Sequence, residues 1–162
     1  MLKRKKWLRR LLRVFGVFIT LLIIAAVYFV QVSKTDPPKP ADMSSLQLQR
    51  TSHGNGFYTL NNNWFRHSKS GLYELYVEGD AFERGVINGK LTRELVVRQE
   101  DHFAEQITKM VSSKFKRNFL KYLIGFFNRK LDKNITEEYR EEIYGISNSA
   151  SPDYRYLGTR LE

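Results

Sequence analysis

The chain has 162 residues, room for one domain with appendages, and a formal net charge of +10. Seven basic residues, Lys3, Arg4, Lys5, Lys6, Arg9, Arg10 and Arg13, occupy the first thirteen positions without an acid; the remainder holds 20 basic against 17 acidic residues, so no nucleic-acid partner is expected. The absence of cysteine excludes disulfides, zinc–thiolate sites, a cysteine nucleophile and a lipoprotein acylation site within these residues.

Residues 1–13 form a basic segment. Val14 to Val30 is an uncharged apolar run of seventeen residues, about 26 Å as a helix, which reaches the roughly 30 Å of a bilayer core when Leu11 and Leu12 are added. Trp7 and Tyr28 lie near its ends, where aromatic rings favour the interface. A cleaved signal peptide shares the basic start, but its apolar centre is shorter and a small-residue cleavage site follows it; here Phe29, Val30, Gln31 and Val32 are bulky. Residues 14–32 are therefore expected to be an uncleaved transmembrane anchor, with the lipid bilayer as partner. The basic excess before the span, against Lys34 and Lys39 after it, puts the N-terminus in the cytoplasm and the rest outside.

Residues 33–50 carry Pro37, Pro38 and Pro40 and read as an extended linker that holds the following region off the membrane. The extracytoplasmic region, 51–162, opens with the turn-forming His53-Gly54-Asn55-Gly56 and a short strand, Phe57 to Leu60. A phosphate-binding loop is the sharper reading of the two glycines, but no third glycine follows and the loop enters a strand. Asn61, Asn62 and Asn63 suit a turn, Trp64 and Phe65 begin another strand, and Ser68 to Gly71 turns again. Leu72 to Glu78 reads as a third strand, with Tyr73, Leu75 and Val77 on the core face. The expected sheet is a three-stranded antiparallel meander.

After Gly79, Asp80 and Glu83 have the spacing of a capping box, and a long helix is expected from Ala81 to Met110 with Phe82, Val86, Leu91, Leu95, Val96, Phe103, Ile107 and Met110 on one face. Gly85 and Gly89 lie one turn apart. Each glycine costs about 1 kcal/mol relative to alanine inside a helix, which implies that another backbone comes close there. An Asp80 to Arg84 pair one turn apart is the simplest role for those charges, with a substrate clamp as the functional alternative.

The run Gly79, Asp80, Glu83, Arg84, Gly85, Gly89, Leu91, placed directly after a strand, resembles the opening of N-terminal-nucleophile acyltransferases and hydrolases related to the penicillin-forming acyltransferase, with phospholipase-B-like relatives. Asn61 to Gly79 resembles membrane-anchored bacterial members of that group. Asp80-Ala81 stands where a small residue and proline are common in the family. The resemblance covers about half of the chain and implies an αββα sandwich, of which this chain would supply the leading part. It also implies an amino-terminal nucleophile, usually a cysteine freed by autoproteolysis, that would lie beyond Glu162, so the chain is expected to be truncated and inert alone.

Phe115 to Leu131 is a basic amphipathic segment carrying Phe115, Phe119, Leu123, Phe126 and Phe127. Packing of that stripe on the sheet is the favoured reading; contact with an anionic membrane surface is the other. Asn134 to Gly145 reads as a helix capped by Thr136 or Asn134 and stopped by Gly145, with Glu137, Glu138, Glu141 and Glu142 as a solvated acidic face around Arg140. Asn134-Ile135-Thr136 matches a glycosylation sequon, relevant only in a eukaryotic secretory setting. Ser147 to Asp153 reads as a loop, followed by the aromatic stretch Tyr154 to Leu157.

His53, His67 and His102 lack metal-ligand spacing, and no G-x-S-x-G elbow is present, so no catalytic residue, metal or cofactor is assigned. The fold class is α+β: a transmembrane helix, then a small antiparallel sheet with two or three helices. Two functions remain open. One is the leading part of an N-terminal-nucleophile amidohydrolase or acyltransferase acting on amide C–N bonds, whose partner is the rest of the same protein and whose substrate is unspecified. The other is a small single-pass envelope protein whose outer domain binds a partner or the membrane surface.

Overall fold

The basic segment and the apolar run fold as one continuous helix, α1, Leu2–Val32. Its stretch from Arg10 to Val32 is long and apolar enough to cross a membrane; none of its most apolar residues is fully buried, and Phe29, Val30 and Val32 near its end are half-buried. The structure, a computed structural model, describes residues 2–34 and 36–152; the stretch Tyr154 to Leu157 lies outside them, as does Asp153.

The sheet is an antiparallel meander of four strands, one more than expected: β1 (Thr51–Ser52), β2 (Tyr58–Leu60), β3 (Asn63–His67) and β4 (Tyr73–Tyr76), in that order. Thr51 pairs with Thr59, Tyr58 with Phe65, and Phe65 with Leu75. The β1–β2 connection takes Gly54, Asn55 and Gly56 through left-handed backbone, φ 79°, 51° and 72°, so this loop is a hairpin turn.

Beyond the sheet come α2 (Ala81–Leu91), α3 (Arg93–Met110), α4 (Lys114–Asn128) and α5 (Glu137–Ser147), with short 3-10 turns at Ser44–Gln47 and Leu131–Asn134. α2 is the centre of the molecule. Ile87 and Leu91, fully buried, pack on Leu60 of β2 and Phe65 of β3, joined by Leu48, Tyr58, Val77 and Leu95. The opposite side of α2 meets α5, giving layers of sheet, α2 and α5.

The expected single helix from Ala81 to Met110 is broken at Thr92, which leaves helical geometry at φ −102°, ψ 19°. The Thr92 hydroxyl donates to the Asn88 carbonyl at 2.8 Å, and Leu95 N–H donates to the Thr92 carbonyl three residues back at 2.8 Å. The freed carbonyls of Lys90 and Leu91 accept from Arg50 Nη1 at 3.1 and 3.3 Å. A side chain from the linker thus caps the break. Past it the expected apolar face is kept only in part: Leu95, Val96 and Ile107 are half-buried, whereas Phe103 and Met110 are exposed, and Ala104 is the buried residue of α3.

Tyr73 and Leu75, expected on the core face, are exposed. Both do lie on the core face, since Leu75 pairs with the buried Phe65 and Tyr73 stacks on its ring, but β4 is an edge strand and α2, seated on β2 and β3, leaves them uncovered. The stripe of α4 is not packed on the sheet either. α4 has no buried residue and leans on the end of α1. Gly145 does not stop α5, which continues to Ser147. Residues 44–48, expected in an extended spacer, are fastened to α2: Lys90 Nζ donates to the carbonyls of Ser45 at 3.2 Å, Leu46 at 2.6 Å and Leu48.

Candidate functional site

The motif residues Gly79 to Gly89 form the bend from sheet to helix and the face of α2 that receives α5. Gly79 has φ 118°, a conformation open to glycine, and Glu83 folds back over it, so a Cβ on Gly79 would lie 2.5 Å from Glu83 Oε2. Gly85 and Gly89 are where the second backbone arrives. A Cβ on Gly85 would collide with the Glu142 carbonyl, and one on Gly89 would lie 2.8 Å from the Ile146 carbonyl oxygen. Gly145 returns the contact, its Cβ position 2.5 Å from the Phe82 carbonyl oxygen. The matching of 85 with 142 and 89 with 146 means that α2 and α5 run parallel.

Asp80 occupies the N-cap position of α2 but its side chain makes no cap hydrogen bond. The expected Asp80–Arg84 pair is likewise replaced. Arg84 donates to the Gly79 carbonyl at 3.1 Å and, across to α5, to Glu138 Oε1 at 2.7 Å and Glu142 Oε2 at 3.2 Å. The bonds to Glu138, chiefly, and Glu142 raise its pKa above the ordinary arginine value. The acidic face of α5 is therefore not simply solvated, because Glu138 and Glu142 anchor the helix pair while Glu137 pairs with Arg140 at 2.9 Å.

Two concavities flank the motif, and Glu83 lines both. One, of about 430 Å³, is lined by Asn61, Asn62, Asn63, Glu78, Gly79 and Glu83. Its wall is ordered by the buried Asn63, whose Oδ1 accepts from Glu78 N–H at 2.6 Å. Tyr76 hydroxyl and Asn62 both donate to the Glu78 carboxylate, at 2.7 and 3.1 Å, and hold its pKa below the ordinary value. The other, of about 460 Å³, lies at the N-terminal ends of α2 and α5 and gathers Asp42, Asp80, Glu83, Glu137, Glu138 and Glu141. Carboxylates suit the positive ends of two parallel helices. Neither concavity is lined by a histidine or lysine that could serve as base to a nucleophile.

The histidines stand apart. His53 Nε2 is 2.7 Å from Thr59 Oγ1 on the β1–β2 hairpin, His67 Nε2 is 3.2 Å from the Gly71 carbonyl at the β3–β4 turn, and His102 belongs to α3. Among the described residues no group of three His, Asp or Glu side chains is placed to hold a metal ion.

Asn63, Arg50 and Lys90 organise the motif's surroundings, and none stands out in the sequence. Asn63 reads as one of three turn asparagines. Arg50 and Lys90 carry no sequence signal because their partners, Glu94 and the carbonyls of residues 45–48 among them, are remote in sequence. Compared with family models, curated proteins and solved structures, the chain gives no match.

Proposed function

We propose that this chain is the membrane-anchored leading part of an N-terminal-nucleophile acyltransferase or amidohydrolase acting on amide C–N bonds, with the nucleophile carried by further chain. The observation that carries this reading is β4. This edge strand leaves Tyr73, Leu75 and Tyr76 exposed immediately before the Gly79 bend, as a strand does when it awaits a neighbour. The Gly85, Gly89 and Gly145 contact adds support, because it explains physically why the residues that carry the resemblance have to be glycine. Further strands adding at β4 would extend the sheet toward the αββα sandwich of the family. On this reading Asp80, Glu83, Arg84 and the glycines are scaffold, and α1 holds the enzyme at the membrane.

The test is to read the gene past codon 162. A cysteine, serine or threonine opening a new strand, whose replacement by alanine stops autoproteolysis and amide cleavage of the whole protein, is the expected result. A stop codon there would overturn the proposal, and a cooperative, monomeric fold of residues 51–162 alone would favour a small single-pass envelope protein instead.

A further inference from the structure

A helix that lies along a bilayer surface needs an apolar face that can reach the acyl boundary, basic side chains for anionic headgroups, and something that holds it at that depth. α4 has all three. It carries Lys114, Lys116, Arg117 and Lys121 and no acidic residue. Phe115 and Phe127 are 81% and 71% exposed, although large aromatic side chains normally find cover.

Its depth is set by α1. Phe126 stacks on Phe29 with ring centroids 5.0 Å apart, and the Ser33 hydroxyl donates to the Tyr122 carbonyl at 3.0 Å. Gly125 admits the Ser33 backbone so closely that a Cβ there would lie 2.7 Å from the Ser33 carbonyl oxygen. The uncharged run from Val14 to Val30 is about 26 Å long as a helix, so Phe29 and Ser33 stand where hydrocarbon gives way to headgroups. A helix fastened to them is at headgroup level.

We propose that α4 lies in the headgroup layer of the leaflet from which α1 emerges, its phenylalanines at the acyl boundary and its lysines on anionic phospholipid headgroups, while Arg117 stays on the Val111 and Ser112 carbonyls. The proposal rests on α1 spanning the bilayer. Arg129, stacked 4.2 Å over the Phe126 ring, ends the helix with one more cation at the α1 contact.

The cysteine-free chain allows single-site labelling. The full chain, at one copy per vesicle of phosphatidylcholine and phosphatidylglycerol, is given an environment-sensitive fluorophore at Phe115→Cys or Phe127→Cys on α4, at Ile23→Cys on α1, or at Arg66→Cys on β3 as an exposed reference. Blue-shifted emission and several-fold weaker acrylamide quenching at 115 and 127 than at 66 is the expected result, with protection reduced in pure phosphatidylcholine. Protection at 23 with 115 and 127 quenched like 66 would overturn this proposal alone, whereas quenching at 23 as well would overturn the spanning reading and this one with it. Equal protection in pure phosphatidylcholine would overturn the anionic-headgroup assignment. Protection that arises only when several copies share a vesicle would place a second copy on the face and overturn the proposal.

Discussion

Gly145 has no room for a methyl group, since the atoms its Cβ would meet are backbone atoms of α2 that cannot rotate away. Gly145→Ala is therefore expected to lower stability by about 2–3 kcal/mol, at the upper end of overpacking costs, read from the urea midpoint of the detergent-solubilised chain. Asp80→Ala should do little. An N-cap aspartate is typically worth about 1 kcal/mol, but this one makes no cap bond, so a change below about 0.5 kcal/mol is expected. Arg84→Met should cost more than Asp80→Ala, with a coupling of about 0.5–1 kcal/mol to Glu142→Gln in a double-mutant cycle. Hydrogen bonds from Arg50 are the main cause that holds the Glu94 carboxyl below its ordinary value. A depressed folded pKa means that this contribution is complete above the ordinary carboxylate range and is lost as pH falls through the lowered value. Urea titrations from about pH 7 to about pH 3 should show the wild type converging on Glu94→Gln; a constant gap would contradict the pairing. The need for close backbone approach at Gly85 and Gly89 was legible from spacing and cost alone. The partner was not, because Arg84 and Glu138 are 54 residues apart and no local rule joins them.

At the level of elements, the sequence anticipated β2 to β4, α4 and α5 to within a few residues, read α2 and α3 as one helix, and erred on what β4, α4 and the far part of α3 touch. Alternation in β4 and the stripe in α4 report amphipathicity, and amphipathicity does not say whether the cover is core, lipid or further chain. The break at Thr92 was hidden for a different reason. Threonine tolerates a helix interior, and what makes the break stable is Arg50, a residue from before the sheet. Arg50→Met leaves the Leu91 carbonyl without that donor and is expected to destabilise by about 1–2 kcal/mol. Hydrogen exchange should show the loss first in the amides around Thr92; protection unchanged there would mean that the kink is held by its own hydroxyl alone.

For the molecule as a whole, one sheet, one central helix and one parallel partner make a small core, with β1 and β4 as the edges of the sheet. Backbone amides of Tyr73–Tyr76 that do not face β3 should exchange rapidly in the 162-residue chain and slowly in any longer product that adds a strand there. The parallel alignment of α2 and α5 has a consequence for chain routing. Two antiparallel helices can be joined by a tight turn, but parallel ones require the chain to travel back to its starting level, a distance of about 16 Å for the 11 residues of α5. Residues 92–136 make that return by a route much longer than the distance demands, and the detour passes the end of α1. The surplus contour is what lets one end of the core hang on the membrane anchor while the α2–α5 contact stays closed, so shortening α3 by whole turns should leave the core folded and pull α4 away from Phe29.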